Sequence, residues 1–222
     1  MKTLTKEMQA AITPTKALEL LNDGNKRFVN NLKVNRNLLE QVNETSDGQH
    51  PFAVILSCID SRTSAELIFD QGLGDIFSIR IAGNIINTDI LGSMEFACKV
   101  AGSKIIVVLG HSKCGAIKGA CDNIQMGNLS ALLSKIQPAI YEETSETENR
   151  NSANSHFVDK VSAINVRHSI HAIKERSPIL KEMITNGEIA LVGGNYDITS
   201  GIVEFYNDTL TPNHSKKKTA QA

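Results

Sequence analysis

Short apolar runs recur along this chain, each separated from the next by a stretch of helical period, and this alternation constrains the fold more than any other feature. Residues 52–56, 76–81, 105–109 and 188–192 have strand length and are dominated by Ile, Val, Leu and Phe. The runs 52–56 and 105–109 are so continuously apolar that they predict buried strands. Between them, residues 65–69, 90–100, 115–121, 129–141, 158–173 and 179–184 carry apolar side chains at helical spacing, with Pro138 expected to kink or shorten its helix. Strands alternating with helices predict an α/β fold, a mostly parallel central sheet flanked by helices. The stretch 142–155 is polar and reads as a loop or a fraying helix end, and 202–205 as one more short strand. Gly193-Gly194-Asn195, with Gly201 nearby, reads as a turn after the last clear strand.

The amino-terminal part differs. Residues 15–31 show helical spacing at Ala17, Leu18, Leu20, Leu21, Phe28 and Val29, entered through Thr13-Pro14, and residues 2–12 predict another short helix. With so few apolar residues, this helical arm (1–45) is expected to pack on a neighbouring subunit. Residues 43–49 are polar and turn-like. No repeat or low-complexity linker divides the chain, so one domain over 1–222 is expected, with 209–222 as a flexible tail.

Composition excludes several classes of function. The 222 residues carry a formal net charge of -1, which gives no electrostatic reason to bind nucleic acid or an acidic membrane. The run Lys216-Lys217-Lys218 is local and lies in the tail. Trp is absent, so a stacking platform for single strands is not expected. No apolar stretch approaches the roughly 20 residues that span a bilayer, and the first residues carry no apolar signal segment. The expected location is therefore cytoplasmic, where thiols stay reduced and cysteines read as metal ligands or nucleophiles.

Three residues then stand out. Cys58 follows the run 52–56, and His111 and Cys114 follow the run 105–109, so both groups lie at the carboxyl ends of strands, where open α/β sheets collect their ligands. Two thiolates and an imidazole suit Zn²⁺, and three protein ligands leave a tetrahedral ion one open position, the mark of a catalytic site. An isolated H-x-x-C pair is more often a buried thiol beside a histidine; a strand-end Cys-x-Asp-x-Arg beside it favours the metal. Asp60 and Arg62, two apart on what reads as an extended segment, would face the pocket with Cys58. A guanidinium keeps such a carboxylate ionised, able to orient a zinc-bound water or, if released, to occupy the ion's open position. The bland reading of this pair is a salt bridge that fixes the loop. Cys98 and Cys121 read as buried thiols, and His156, His168, His171 and His214 as surface histidines.

Cys58-Ile59-Asp60-Ser61-Arg62 and His111-Ser112-Lys113-Cys114-Gly115 together resemble the signature of the β-class carbonic anhydrases, and Arg80-Ile81-Ala82-Gly83-Asn84 resembles that family's intervening R-x-A-[GN]-N segment. The likeness runs from about Gln49 to Cys121 and more loosely to Phe205. It implies a lyase, carbonate dehydratase, that interconverts CO₂ and bicarbonate by attack of zinc-bound hydroxide and works as a homodimer or higher homo-oligomer. By the same resemblance, Cys58, His111 and Cys114 are the metal ligands, Asp60 and Arg62 the catalytic dyad, and Asp60 a fourth ligand in a closed state. Gln49 corresponds to a glutamine that reaches substrate across the dimer interface. Phe77 and Ala82 would line the CO₂ pocket, Phe96 stands where tyrosine is frequent, and Gly115 would offer its backbone N–H. One subgroup is switched off by bicarbonate bound beside a tryptophan; Ile55 stands at that place here, so no such switch is expected. His50 could shuttle protons but reads as a solvated surface histidine. Two alternatives remain, a hydrolase of carbonyl sulfide or carbon disulfide on the same scaffold and a non-catalytic zinc module.

Overall fold

The computed structural model describes residues 3–211. Its strands are β1 (Ala53–Ser57), β2 (Ile76–Arg80), β3 (Ile105–His111), β4 (Ala190–Tyr196) and β5 (Val203–Thr211). They form one sheet in the order β2-β1-β3-β4-β5. The first four run parallel and β5 closes one edge antiparallel. The helices are α1 (Lys6–Ala11), α2 (Pro14–Val29), α3 (Leu38–Glu44), α4 (Ala65–Ile68), α5 (Thr88–Glu95), α6 (Gly115–Cys121), α7 (Gly127–Leu133), α8 (Gln137–Glu142), α9 (Ser155–Arg176) and α10 (Pro178–Thr185). Every residue of β1 and β3 is buried, as their unbroken apolar runs require.

Successive side chains on a strand point to opposite faces, and the core divides accordingly. Val54, Leu56, Ile106, Val108 and Leu191 pack beneath α5, α9 and α10. Ala53, Ile55, Ile105, Val107 and Val192 pack on the other face with Ala17 and Leu21 of α2 and Ala65 and Ile68 of α4. A third cluster, containing Ile85, Ile117, Leu133, Ile136, Phe157 and Val161, gathers with Cys58 and Cys114 at the carboxyl ends of the strands.

Two expectations change, at β4 and β5. The arm of residues 1–45 packs at least in part on its own chain, with Leu21 of α2 wholly buried on the sheet. Arg27 and Arg36 both grip Asp70, at 2.6 and 2.5 Å, because the buried Asp70 carboxylate needs cationic partners. α3 ends at Glu44 and the polar turn expected over 43–49 follows it from Thr45; Asn37 caps the helix by accepting from the Glu40 N–H. Gly193, Gly194 and Asn195 lie inside β4, in register with Val108, Leu109 and Gly110. Side chains would not fit there: a Cβ on Gly193 would stand 2.7 Å from Val166 Cγ1, and one on Gly194 2.9 Å from the Glu204 carbonyl. β5 continues to Thr211, which pairs with Leu191 beyond a bulge, so residues 209–211 are strand rather than tail. Thr209 helps hold it there by accepting from the Gly193 N–H at 2.8 Å. The remaining tail, 212–222, lies outside the described residues. Pro138 acts as expected, falling in the first turn of α8 and separating it from α7.

Candidate metal centre

The strand order places a topological switch point between β1 and β3, because the chain leaves β1 for one neighbour and later returns to the other. Cys58 follows the last residue of β1, and His111 is the last residue of β3. Lys113 takes a left-handed conformation (φ 56) and turns the chain back, so that Cys114, the residue before α6, reaches the same point as His111. The three ligand atoms lie within 4.8 Å of one another. Their side chains are buried, with Cys58 3% and His111 and Cys114 each 1% exposed. The two sulfur atoms are 3.9 Å apart, against about 3.8 Å for tetrahedral zinc with Zn–S bonds of about 2.3 Å.

The donors are also in suitable forms. His111 Nδ1 is 3.0 Å from the Ser112 carbonyl, which can only accept, so the proton sits on Nδ1. That leaves a lone pair on Nε2, which is buried and has no hydrogen-bond partner among the described residues. An orphaned imidazole nitrogen facing two thiols is what a soft-to-borderline cation would satisfy. The hydrogen bond from Cys114 pulls the Cys58 thiol well below its ordinary pKa against the effect of burial, aided by the Gly83 N–H, 3.4 Å from the sulfur. Sharing that proton with Cys58, together with burial, drives Cys114 upward. A divalent cation between them would release the remaining proton.

Asp60 and Arg62 stand beside the cluster and form a bidentate pair, Nε to Oδ1 at 2.9 Å and Nη2 to Oδ2 at 2.7 Å. The segment is a turn rather than the extended stretch expected, closed by the Thr63 N–H on the Asp60 carbonyl at 3.0 Å. The Arg62 hydrogen bonds hold the Asp60 carboxyl well below the usual carboxylate range. Its oxygens therefore lie on Arg62, outside the three-ligand cluster.

Other expected site residues divide into two groups. Ala82 adjoins Gly83, whose N–H reaches Cys58, and Gly115 opens α6 with free space where a side chain would be. Phe77 and Phe96 pack edge to face, 6.2 Å apart, on the β2 side of the sheet. Phe77 is in register with Val54, four residues or about 13 Å along the strand direction from the level of Cys58. Gln49 is exposed and precedes β1, at the opposite end of that strand from Cys58. Within one chain these three do not line the metal pocket.

Sequence reasoning overlooked the groups that fix the ligands in place. Arg80 donates to the carbonyls of Cys58 and Asp60 at 3.0 and 2.5 Å, and the Thr63 hydroxyl to the same two at 3.0 and 2.9 Å. Tyr196, in register with His111 and nearly buried, accepts the Ser112 N–H at its carbonyl. The periodic apolar pattern that marks a strand gives no sign of such backbone contacts.

Comparison with known proteins agrees with this geometry. The family model described as carbonic anhydrase matches residues 53–203. Carbonic anhydrase 2 of Mycobacterium tuberculosis is 34% identical over 194 residues, covering 85% of this chain and 90% of that protein. Among solved structures, the β-carbonic anhydrase CafA of Aspergillus fumigatus superposes with a TM-score of 0.67 at 27% identity, over 76% of this chain and 81% of that one. A structure from work on two tetrameric β-carbonic anhydrases of Sordaria macrospora gives 0.64 at 25% identity, over 73% and 84%. A strand-end Cys, His and Cys converging at a switch point, on a sheet shared with these proteins, leads to one conclusion: the chain belongs to the β-class carbonic anhydrase family.

Proposed function

We propose that the protein catalyses the reversible hydration of CO₂ to bicarbonate and a proton at a zinc ion held by Cys58, His111 and Cys114. The observation that carries this reading is the convergence of those three ligand atoms within 4.8 Å beside an Asp60 carboxylate paired with Arg62. Zinc so held supplies a Lewis acid that acidifies a coordinated water, behaviour established for carbonic anhydrases built on three histidines. Asp60, kept ionised by Arg62, accepts a hydrogen bond from the attacking water and turns its lone pair toward the carbon. With Arg62 on both of its oxygens, Asp60 would be held away from an ion bound by Cys58, His111 and Cys114. Ala82 contributes apolar wall, and the Gly115 N–H donates to a substrate oxygen. The new C–O bond leaves bicarbonate, and the released proton passes to solvent.

Gln49, Phe77 and Phe96 are assigned to the site of a second copy of this chain, since none lies at the metal pocket of its own. A homodimer or larger assembly is supported by the tetramers described for the Sordaria macrospora proteins and by the exposed apolar side chains of Leu38, Leu39, Val42 and Phe96. A cytoplasmic location fits four cysteines that form no disulfide. Among the described residues, no helix is long and apolar enough to cross a membrane.

Stopped-flow CO₂ hydration on metal-analysed protein, across about pH 7 to 9, near the ordinary range for zinc-bound water, tests the reading. Turnover that tracks one zinc per chain and rises with pH is expected, and Cys58→Ala should lose zinc and turnover together. Stoichiometric zinc without CO₂ turnover would overturn it; assays with carbonyl sulfide and carbon disulfide would then separate the hydrolase from a non-catalytic module.

A further inference from the structure

The buried face of α9 is not uniformly apolar. Beside Phe157, Val161, Val166 and Ile170 it buries Ser162, Asn165 and Ser169. Asn165 is 3% and Ser169 4% exposed. Burying an amide or a hydroxyl is unfavourable unless it is bonded, and both side chains are bonded to consecutive carbonyls of one short segment. Asn165 Nδ2 donates to the Gly83 carbonyl at 2.8 Å, and Ser169 Oγ to the Asn84 carbonyl at 3.0 Å.

That segment is unusual in its backbone. Gly83 (φ 68) and Asn84 (φ 42) are both left-handed, a conformation unfavourable for a side-chain-bearing residue and one that persists only where surrounding contacts impose it. At φ 68 a side chain on Gly83 would be strained, and its Cβ would also press on Ile136 Cδ1 at 2.8 Å. Just upstream, the Ile81 N–H donates to the Ser57 carbonyl at 3.0 Å, so the segment is fastened to β1 at one end and to α9 at the other. Between the two fastenings the Gly83 N–H points at Cys58 Sγ, 3.4 Å away.

We propose that Asn165, with Ser169 beside it, is a positioning residue of the metal centre, holding the 83–84 backbone so that the Gly83 N–H remains on the Cys58 sulfur. The proposal rests on the reading of Cys58, His111 and Cys114 as metal ligands. An N–H directed at a thiolate draws charge from it and fixes which lone pair is left for the ion, the kind of outer-shell control by which proteins tune bound metals. Without the Asn165 bond, the left-handed pair is free to relax and the N–H to turn away. Packing alone does not call for an amide at 165, because Val166 and Ile170 fill the same face with hydrocarbon.

The test compares Asn165→Leu, Ser169→Ala and, as a control on the same helix that faces Gly110 of β3, Ser162→Ala. Zinc affinity is measured by competition with a chromophoric chelator. The cobalt-loaded protein is examined for its thiolate-to-metal charge-transfer absorption, and circular dichroism reports the fold. Asn165→Leu should bind zinc about 10- to 100-fold more weakly and shift the charge-transfer band. Ser169→Ala should move both readouts the same way by less, and Ser162→Ala neither. Folded Asn165→Leu with the parent's affinity and band overturns the proposal and leaves the metal centre standing. If Asn165→Leu does not fold, Ser169→Ala decides, and parental values there overturn it equally. Failure of the parent itself to take up zinc or cobalt at one per chain overturns the metal centre and the proposal together.

Discussion

Asp60 illustrates how much of the site rests on single groups. Its carboxyl is held well below the usual range by Arg62, so it stays ionised at every pH above its ordinary value of about 3.9. Protonation of Asp60 is therefore not the expected origin of a loss of turnover between neutral and mildly acidic pH. Asp60→Asn should keep stoichiometric metal and lose about 10²-fold in kcat, the low end for a positioned proton acceptor; stopped-flow turnover beside metal analysis checks it, and an unchanged rate would remove Asp60 from the mechanism. Cys58, Asp60, Arg62, His111 and Cys114 were legible in the sequence because each carries its chemistry in its own side chain and sits at the end of an apolar run. Arg80, Thr63 and Asn165 were not, because they act on backbone carbonyls, which every residue possesses and no spacing betrays. Arg80 was quoted only as part of a resemblance, and its grip on the Cys58 and Asp60 carbonyls emerged with the fold.

At the scale of elements, strands read from β-branched runs were found where their side chains do the packing, and misread where neighbours do. β4 keeps two glycines in its centre because Val166 and Ile170 of α9 and the backbone of β5 come too close for side chains. Glycine by itself signals a turn, so the tertiary reason for it is invisible in one dimension. Gly193→Ala should press on α9 and cost about 1–3 kcal/mol, seen as a lower denaturant midpoint with an unchanged slope; an undiminished midpoint would show that α9 yields freely. The fastening of α2 and the chain that follows it is a second case. Burial pushes the Asp70 carboxyl up, but bonds from Arg27 and Arg36 outweigh it and the net direction is down. A carboxyl depressed in the folded state stabilises above its unfolded pKa of about 3.9 and loses that contribution as pH falls through the lower folded value. Asp70→Asn leaves the 7% exposed Arg36 side chain without its counter-charge and should cost about 3–5 kcal/mol at neutral pH. The gap from the parent should narrow below about pH 4, as urea titrations at several pH values would reveal.

For the whole molecule, the assignment of Gln49 to another copy's pocket makes a sharp expectation. Subunits of Gln49→Ala and of Cys58→Ala, each inactive or nearly so alone, should regain activity when refolded together, since a mixed dimer holds one pocket with both groups intact. No gain on mixing, with mixed dimers demonstrated by mass, would return Gln49 to a role in its own chain or to none. The α/β architecture was readable from the alternation of runs, whereas the surface on which copies meet was not, because an exposed leucine such as Leu39 looks the same in sequence as a buried one. The metal pocket itself is made of residues 58 and 111, far apart in the chain and brought side by side only once β1 and β3 have paired in register. An ion gripped by all three ligands would therefore clamp β1 to β3, so its binding and the pairing of the sheet would reinforce one another.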